Sequence, residues 1–381
     1  MNFRMNNPLN DLDPDLHVNN PDFACNSYTP FEFNEHFQSC AEFSMIHLNA
    51  RSLHTNFENI SNFLSIIKNS FSVIAISETW ICGLPVIPFH LDGYKFVNVD
   101  RKSGRGGGVG IFIKNDINFQ RRESITHSVE SDSTCEYLCV DLFRQDRDRL
   151  TVGVFYRKPS TDIKSFIHFY SETLEKLSTE KREIIMTGDF NIDLMKSTDE
   201  NTNDFLNINF SFGLTPVIKY PTRITMNTAS LIDNIFINTF ERNLESGSFS
   251  VELTDHLPIF LVLDKTNLLT KSQHTTINFR RAVTDDGVKK LQRELYEVDW
   301  SSLYSCNNVN TAYDLFLSKL LVLYDRNLPL CTSNNKKSCI RKPWITPGLL
   351  RYIKKKNKLY KKFLNDRSPS NQAKYKTYRN K

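Results

Sequence analysis

A short stretch near the middle of the chain carries residue types that could hold a divalent cation. Residues 184–186 form an apolar run typical of a buried strand, and Gly188 allows the backbone to turn where the run stops. Asp189, Asn191 and Asp193 follow at every second position, so their side chains would share one face of an extended chain. Oxygen groups crowded at a strand end favour Mg²⁺ and a phosphate ester, because burying them without a cation is unfavourable. A polar turn explains the same pattern, since Gly, Asp and Asn are common turn residues.

The other candidate residues share one property, which is that each lies at or beside the end of a strand-like segment. The alternating segment 43–49 ends at Asn49, and the apolar run 71–78 ends at Glu78. Taken singly, each candidate has an ordinary explanation, such as a turn cap, a surface acid or a buried histidine. A sandwich of two sheets would bring the strand ends to one rim, where they would supply the metal ligands, base, phenol and phosphate donors of phosphodiester hydrolysis. The full set is Asn49, Glu78, Tyr156, Asp189, Asn191, Asp233, Asp255 and His256.

The segments between these residues alternate between strand and helix patterns. Apolar residues recur at helical spacing in 57–67, 166–177 and 205–212, and strand patterns occupy 43–49, 71–78, 109–113, 138–143, 150–156, 231–237, 248–253 and 257–263. Five glycines lie between residues 104 and 110, but a strand follows them and no Gly-Lys-Ser/Thr ending is present. A tight hairpin connection is therefore favoured over a phosphate-binding loop. The whole pattern predicts an α/β fold with a two-layer sandwich of sheets.

Composition places the chain among folded proteins without a membrane span. It has 381 residues, of which 40% are hydrophobic and 12% aromatic. It contains no run of 18 or more apolar residues, and its N-terminus lacks the apolar region of a secretory signal. The eight cysteines are scattered and complete no zinc site, which favours reduced thiols in an intracellular protein. The expected location is the nucleus.

The last fifty residues differ in charge from the rest of the chain. Residues 331–381 carry 16 Lys and Arg against one Asp, whereas residues 1–330 carry 32 against 42. A basic segment of this kind commonly contacts the phosphates of a polyanion, and a solvated helical face is the alternative. We expect a disordered leader over residues 1–40, a catalytic domain over 41–264 and a basic helical segment over 265–381. The chain ends within a helical pattern, which suggests a truncation.

Six local sequences, in this order, resemble the endonuclease/exonuclease/phosphatase superfamily, which includes abasic-site endonucleases and deoxyribonuclease I. They are Leu48-Asn49, Ser77-Glu78-Thr79, Phe155-Tyr156, Gly188-Asp189-Phe190-Asn191, Leu231-Ile232-Asp233 and Thr254-Asp255-His256-Leu257-Pro258-Ile259. The resemblance implies a four-layer α/β/β/α sandwich followed, in this chain, by a basic α-helical segment.

Further details resemble one branch of that superfamily, the endonucleases of non-LTR (LINE-type, jockey- or CR1-like) retrotransposons. The segments 49–53, 78–80, 156–159 and 221–223 are typical of the branch, and 342–346, 358–362 and 375–380 resemble the linker that precedes its reverse transcriptase. Abasic-site enzymes carry an Asp where this chain has Arg51, and an aromatic residue where it has Ser230. These two departures favour cleavage of intact DNA over repair.

The resemblance implies a Mg²⁺-dependent DNA endonuclease, with Mn²⁺ as a substitute, that leaves a 3′-hydroxyl for reverse transcription. The implied roles are as follows: Glu78, Asn49 and Asp255 bind the metal; Asp189 and Asn191 act on the attacking water; Asp233 orients His256; His256 and Tyr156 stabilise the reacting phosphate; and Arg51, Arg157, Thr222 and Ser230 contact DNA. The basic C-terminal segment would contact the element RNA. Two alternatives remain open, a phosphoesterase acting on small substrates and a DNA-binding or scaffold protein without activity.

Overall fold

The computed structural model describes residues 24–380 except 39–42, 83–88, 100–105, 124–134, 144–148, 181, 240–243, 264–277, 282, 307 and 334–345. The predicted linker 265–276 and the leader before residue 24 lie outside the described residues. The strands are β1 (Ala24–Tyr28), β2 (Phe43–Asn49), β3 (Val73–Ser77), β4 (Tyr94–Val99), β5 (Val109–Lys114), β6 (Phe119–Arg121), β7 (Cys135–Phe143), β8 (Arg149–Arg157), β9 (Glu183–Asp189), β10 (Thr215–Pro216), β11 (Arg223–Ile224), β12 (Ala229–Ser230), β13 (Asp233–Ile237), β14 (Leu244–Phe249), β15 (Ile259–Leu263), β16 (Asn278–Arg281) and β17 (Leu330–Ser333). The helices are α1 (Pro30–His36), α2 (Leu53–Ile66), α3 (Ile163–Ser178), α4 (Glu200–Ser211), α5 (Asp285–Tyr296), α6 (Ser301–Tyr304), α7 (Val309–Asn327), α8 (Pro347–Asn365) and α9 (Pro369–Arg379).

Two large sheets form the centre of the fold. The first has the order β1-β14-β15-β2-β3-β5-β4, and the second has the order β10-β13-β9-β8-β7-β6. Alternation within β2 gives the first sheet two apolar faces, because Met45 packs against the second sheet while Ile46 and Leu48 pack against α1 and α2. The outer face of the second sheet is covered by α3 and α4, where the Phe155 ring lies 5.2 Å from Tyr170. The predicted α/β/β/α sandwich is therefore confirmed.

Strand direction brings the candidate residues to one rim. β2 runs parallel to β3, and β8 runs parallel to β9, so their carboxyl ends point the same way within each pair. In the second sheet Asp189 is the register partner of both Tyr156 on β8 and Asp233 at the start of β13. Register partners share a face, so these three side chains emerge together at the edge where β9 ends.

The N-terminal part differs from the expected loose leader. β1 pairs in parallel with β14, and the Phe33 ring of α1 lies 4.9 Å from Phe249 and 5.1 Å from Phe260. The expectation of disorder is therefore wrong for residues 24–36. Strand β14 also lies earlier than the predicted 248–253. It passes so close to β1 that a Cβ on Gly247 would sit 1.8 Å from the Asn26 carbonyl oxygen, so small residues replace the usual apolar pattern there.

The described residues divide into two compact units, one comprising residues up to 272 together with 341–381, and the other residues 273–340. In the first unit α8 and α9 lie together, and the Tyr352 and Tyr378 rings stack 4.4 Å apart. The predicted N-cap of α8 is confirmed, since Thr346 accepts a hydrogen bond from the Leu349 N–H. The second unit contains α5, α6, α7 and the β16–β17 pair. No described helix has the length and apolar character needed to cross a membrane.

Candidate active site

The backbone at the rim is conformationally strained. In the described part of the chain five non-glycine residues have left-handed φ angles: Arg51 (42°), Ser52 (81°), Glu78 (54°), Trp80 (55°) and Asn191 (50°). All five follow β2, β3 or β9, the strands that end beside the candidate residues. Left-handed φ is unfavourable for residues with a Cβ and concentrates at functional sites, where the surrounding structure maintains it.

The Asn49 side chain joins the two sheets. Its Nδ2 donates hydrogen bonds to Glu78 Oε1 at 2.8 Å in its own sheet and to Asp189 Oδ2 at 2.9 Å in the other. The Asn49 Oδ1 accepts from the Arg51 backbone N–H at 3.1 Å, which orients the amide. The second oxygen of Glu78 accepts from Trp80 Nε1 at 3.0 Å. Two carboxylates from different sheets therefore converge on one amide.

A histidine–aspartate pair lies beside this junction. His256 Nδ1 is 2.8 Å from Asp233 Oδ2 and 4.0 Å from Asp189 Oδ2. Burial lowers the pKa of His256, but the charge and hydrogen bond of Asp233, with Asp189 and Asp255, outweigh it and raise that pKa to about 9. The Thr222 hydroxyl donates to Asp233 Oδ2 at 2.6 Å. With Nδ1 bound to Asp233, Nε2 is the ring nitrogen that can donate to a substrate.

The donor set fits a divalent cation. Burial and the neighbouring Asp233 raise the pKa of Asp189, although His256 opposes them, so the carboxylates exceed the positive charge around them. One ligand atom each from Asp189, Asp233 and His256 lie within 4.8 Å of one another. The oxygens of Glu78 and Asp189 both lie within 2.9 Å of the Asn49 amide nitrogen. Hard oxygen donors in this number suit Mg²⁺.

Asp255 is not among the converging groups. Its carboxylate oxygens pair with Arg51 at 2.9 Å and Arg223 at 2.8 Å, and its side chain is 28% exposed. The sequence prediction that Asp255 ligates the metal is therefore not supported by the geometry, because two arginines already neutralise it. Asp193 also leaves the expected face. β9 ends at Asp189, and the Asp193 Oδ1 accepts from the backbone N–H of Leu231 at 2.9 Å.

Two of the predicted DNA-contacting residues are buried. Arg157 is 2% exposed, and its guanidinium donates to the carbonyl oxygens of Phe190 and Asn191, both at 2.7 Å. Asn191 Nδ2 returns a bond to the Arg157 carbonyl at 2.7 Å, so this pair holds the loop after β9. Thr222 is fully buried and serves Asp233 instead. The prediction of direct DNA contact is wrong for both, since a surface role requires an accessible side chain.

The remaining predicted residues lie where such contacts could occur. Arg51 is 55% exposed on the rim. Ser230 is partly exposed on β12, opposite Arg223 in the short β11–β12 pair. Tyr156 is buried in register with Asp189. The isolated bridge between Arg223 and His256 attaches the β11–β12 pair to the segment that carries the histidine.

Sequence reasoning missed one buried histidine at the site. His47 is 1% exposed, its Nε2 lies 3.1 Å from Ser77 Oγ, and its Nδ1 lies 4.0 Å from Asp233 Oδ1. Burial lowers the pKa of His47 to about 4, so it is neutral beside the charged His256. Strand alternation could have identified it, because residues 47 and 49 of β2 share a face.

Comparisons with known proteins agree with this fold. The endonuclease domain of TRAS1, a telomere-specific non-LTR retrotransposon, has 15% identity and a TM-score of 0.44, with coverage of 59% of this chain and 99% of that chain. The catalytic domain of Xenopus laevis APE2 has 15% identity and a TM-score of 0.47, with coverage of 61% and 94%. A mannosyl-6-phosphatase from Bacteroides thetaiotaomicron has 16% identity and a TM-score of 0.42, with coverage of 59% and 100%.

A search of curated proteins found no match. The family model described as the Endonuclease/Exonuclease/phosphatase family matches residues 33–256, which is more than half of the chain and contains every candidate residue discussed above. Members of this family are hydrolytic nucleases or phosphatases. This chain belongs to the endonuclease/exonuclease/phosphatase family.

Proposed function

We propose that this protein is a metal-dependent DNA endonuclease of the non-LTR retrotransposon type. It nicks one strand of target DNA in the nucleus by phosphodiester hydrolysis and leaves a 3′-hydroxyl that can prime reverse transcription. The observation that carries the proposal is the Asn49 amide, which joins Glu78 of one sheet to Asp189 of the other beside the His256–Asp233 pair. The exposed arginines on the same rim, and the local sequences typical of retrotransposon endonucleases, favour DNA over a small phosphoester.

In this proposal Glu78 and Asn49 hold Mg²⁺, or Mn²⁺ in its place, with Asp189 close by. The ion, when bound, supplies positive charge to the reacting phosphate. Asp189 accepts a proton from the attacking water, and its raised pKa suits a base better than an ordinary carboxylate. Asn191 orients the water or a phosphate oxygen.

His256 supports the transition state from the other side. Its Nε2–H donates to a phosphate oxygen as negative charge builds there, while Asp233 keeps the ring charged and oriented. Tyr156, in register with Asp189, stabilises the leaving oxygen. We assign Asp255 a supporting role in which it holds Arg51 and Arg223 toward the DNA. The catalytic domain, on this proposal, begins at β1 instead of residue 41.

Nicking of supercoiled plasmid tests the proposal directly. The full chain should convert plasmid to the open circle with Mg²⁺ and stop when EDTA is added. Asp189→Ala and His256→Ala should each lower the rate by on the order of 10²–10⁴ while the fold is retained. Asp162→Asn, at the exposed N-cap of α3, is the matched control and should nick normally. Normal nicking by both site variants would refute the assignment.

Two further measurements separate the alternatives. Hydrolysis of inositol phosphates without plasmid nicking would indicate a phosphoesterase of the same family acting on small substrates. Retention of DNA without Mg²⁺-dependent nicking would indicate a binding protein that has lost activity. Mapping the ends of the nicked strand by extension with a polymerase should show a free 3′-hydroxyl, because only that end supports primer extension.

A further inference from the structure

Helix α8 presents a row of positive charges that the proposed mechanism does not use. Arg351, Lys355, Lys358 and Lys362 recur at intervals of four, three and four residues, which places them on one helical face. All four side chains are exposed, and none of them pairs with a carboxylate in the described part of the chain. The helix as a whole has seven Lys and Arg and no acidic residue. We call these four residues the basic stripe.

The opposite face of α8 fixes the helix beside the candidate active site. Tyr360 and Phe363 of α8, with Tyr375 of α9, pack against Leu257, the residue that follows His256. Ile224 and Met226, from the β11 strand that bridges to His256 and the turn after it, pack against the same cluster.

Polar contacts add to this apolar anchor. Tyr375 donates a hydrogen bond to Glu252, and Arg379 pairs with Glu252 at 2.8 Å. On the other side Lys361 pairs with Glu32 of α1 at 2.8 Å. These bases are therefore committed to protein partners, whereas the basic stripe is not. The stripe consequently has a defined position relative to the segment that carries His256.

We propose that the basic stripe binds the phosphate backbone of the DNA duplex next to the cleavage site, as an extension of the substrate surface. This inference rests on the proposed endonuclease function. The stripe spans 11 residues, or about 16 Å at a rise of 1.5 Å per residue. Along a duplex that length corresponds to about five phosphates of one strand at 3.4 Å each. Four bases can therefore follow one strand without sequence selection.

Charge favours DNA over the other candidate occupants. A second copy of this chain would bring two rows of like charge together, which is repulsive. RNA of the element is the notable competitor, since it offers the same phosphates. The position of α8 against the residue after His256 favours the molecule that also enters the active site, and that molecule is the DNA.

The test uses the full chain with all four stripe residues changed to glutamine. The matched control removes four exposed charges elsewhere, Lys176, Lys289, Lys290 and Arg293. Affinity for a duplex of about 30 base pairs is measured in EDTA across a range of KCl concentrations, and thermal unfolding checks the fold of both variants. The stripe variant should lower the slope of log affinity against log salt by about 3 and reduce affinity at 0.1 M salt by on the order of 10²–10³. The control should match wild type.

Catalysis gives a second, independent readout. On plasmid the stripe variant should raise KM and leave kcat unchanged, and its hydrolysis of bis(p-nitrophenyl) phosphate should equal that of wild type. Equal duplex affinities of stripe and control variants would overturn the inference, and so would a loss confined to an RNA hairpin. If wild type binds duplex through the stripe yet never nicks it, the proposed function fails while the binding surface stands.

Discussion

The charge state of His256 is the most direct target for a quantitative test, and Asp233→Asn is the substitution that changes it. Asparagine has nearly the same shape as aspartate, so the hydrogen bond from His256 Nδ1 can persist at its 2.8 Å length. Only the negative charge is removed. Burial, which lowers the pKa of His256, then loses its main opponent, and Asp189 at 4.0 Å remains as a weaker one.

The expected size of the effect follows from the pKa of His256. It stands at about 9 against an ordinary value of 6.5, and at 1.36 kcal/mol per unit this is about 3 kcal/mol in favour of the charged ring. Without Asp233 the pKa should fall below 6.5, because burial then dominates. A charged ring exists only below its pKa, so the variant should lose nicking above about pH 6, whereas wild type retains it to about pH 9. At pH 7.5 the rate should drop by on the order of 10²–10³.

Initial nicking rates of supercoiled plasmid between pH 5.5 and 9.5 measure this shift. Thr222→Val is the control, since it removes one hydrogen bond to Asp233 and keeps the charge. Its alkaline limit should stay near that of wild type, with a rate loss of less than about tenfold. If Asp233→Asn and wild type lose activity at the same alkaline pH, the pairing of Asp233 with His256 does not set the charge of the ring, and the reasoning fails.

Two other predictions concern stability. His47 stays neutral in the fold to about pH 4 whereas the unfolded chain takes up its proton near 6.5, so unfolding free energy should fall by up to about 3 kcal/mol between these pH values. Urea titrations at both ends should show a flatter dependence in His47→Gln, and parallel curves would contradict the prediction. Arg157→Met leaves the carbonyls of Phe190 and Asn191 without their buried donor, and should cost about 3–5 kcal/mol. Arg51→Met, on the exposed rim, should cost less than about 1 kcal/mol but weaken DNA binding, and the opposite ranking would sink this assignment.

Local pattern was sufficient for most of the strands and helices around the site. The alternation of residues 43–49 predicts β2 with the bounds observed, and the apolar run after residue 184 predicts β9 and its end near Asp189. Helical spacing located α3 and α8, and Thr346 before Pro347 located the start of α8. These features depend on neighbours within a few residues, which is the distance over which propensity and periodicity act.

Local pattern failed where a distant strand decides the outcome. β1 has no alternating apolar pattern of its own, and it is ordered because it pairs with β14 more than two hundred residues away. Arg157 follows a strand and carries a charge, which suggests a surface contact, yet the loop after β9 closes over it and supplies carbonyl acceptors. Asp255 has the residue type of a metal ligand, but two arginines from separate loops reach it.

The sequence by itself determined which chemical groups this protein has and at which strand ends they stand, because the period of two along a strand decides which residues share a face. The tertiary structure alone decided which of those groups meet. Asn49 and Asp189 are 140 residues apart and lie 2.9 Å from each other only because two sheets pack face to face. The same packing buries Asp189, Asp233 and His256 together, and it is burial at short distance that shifts their pKa values.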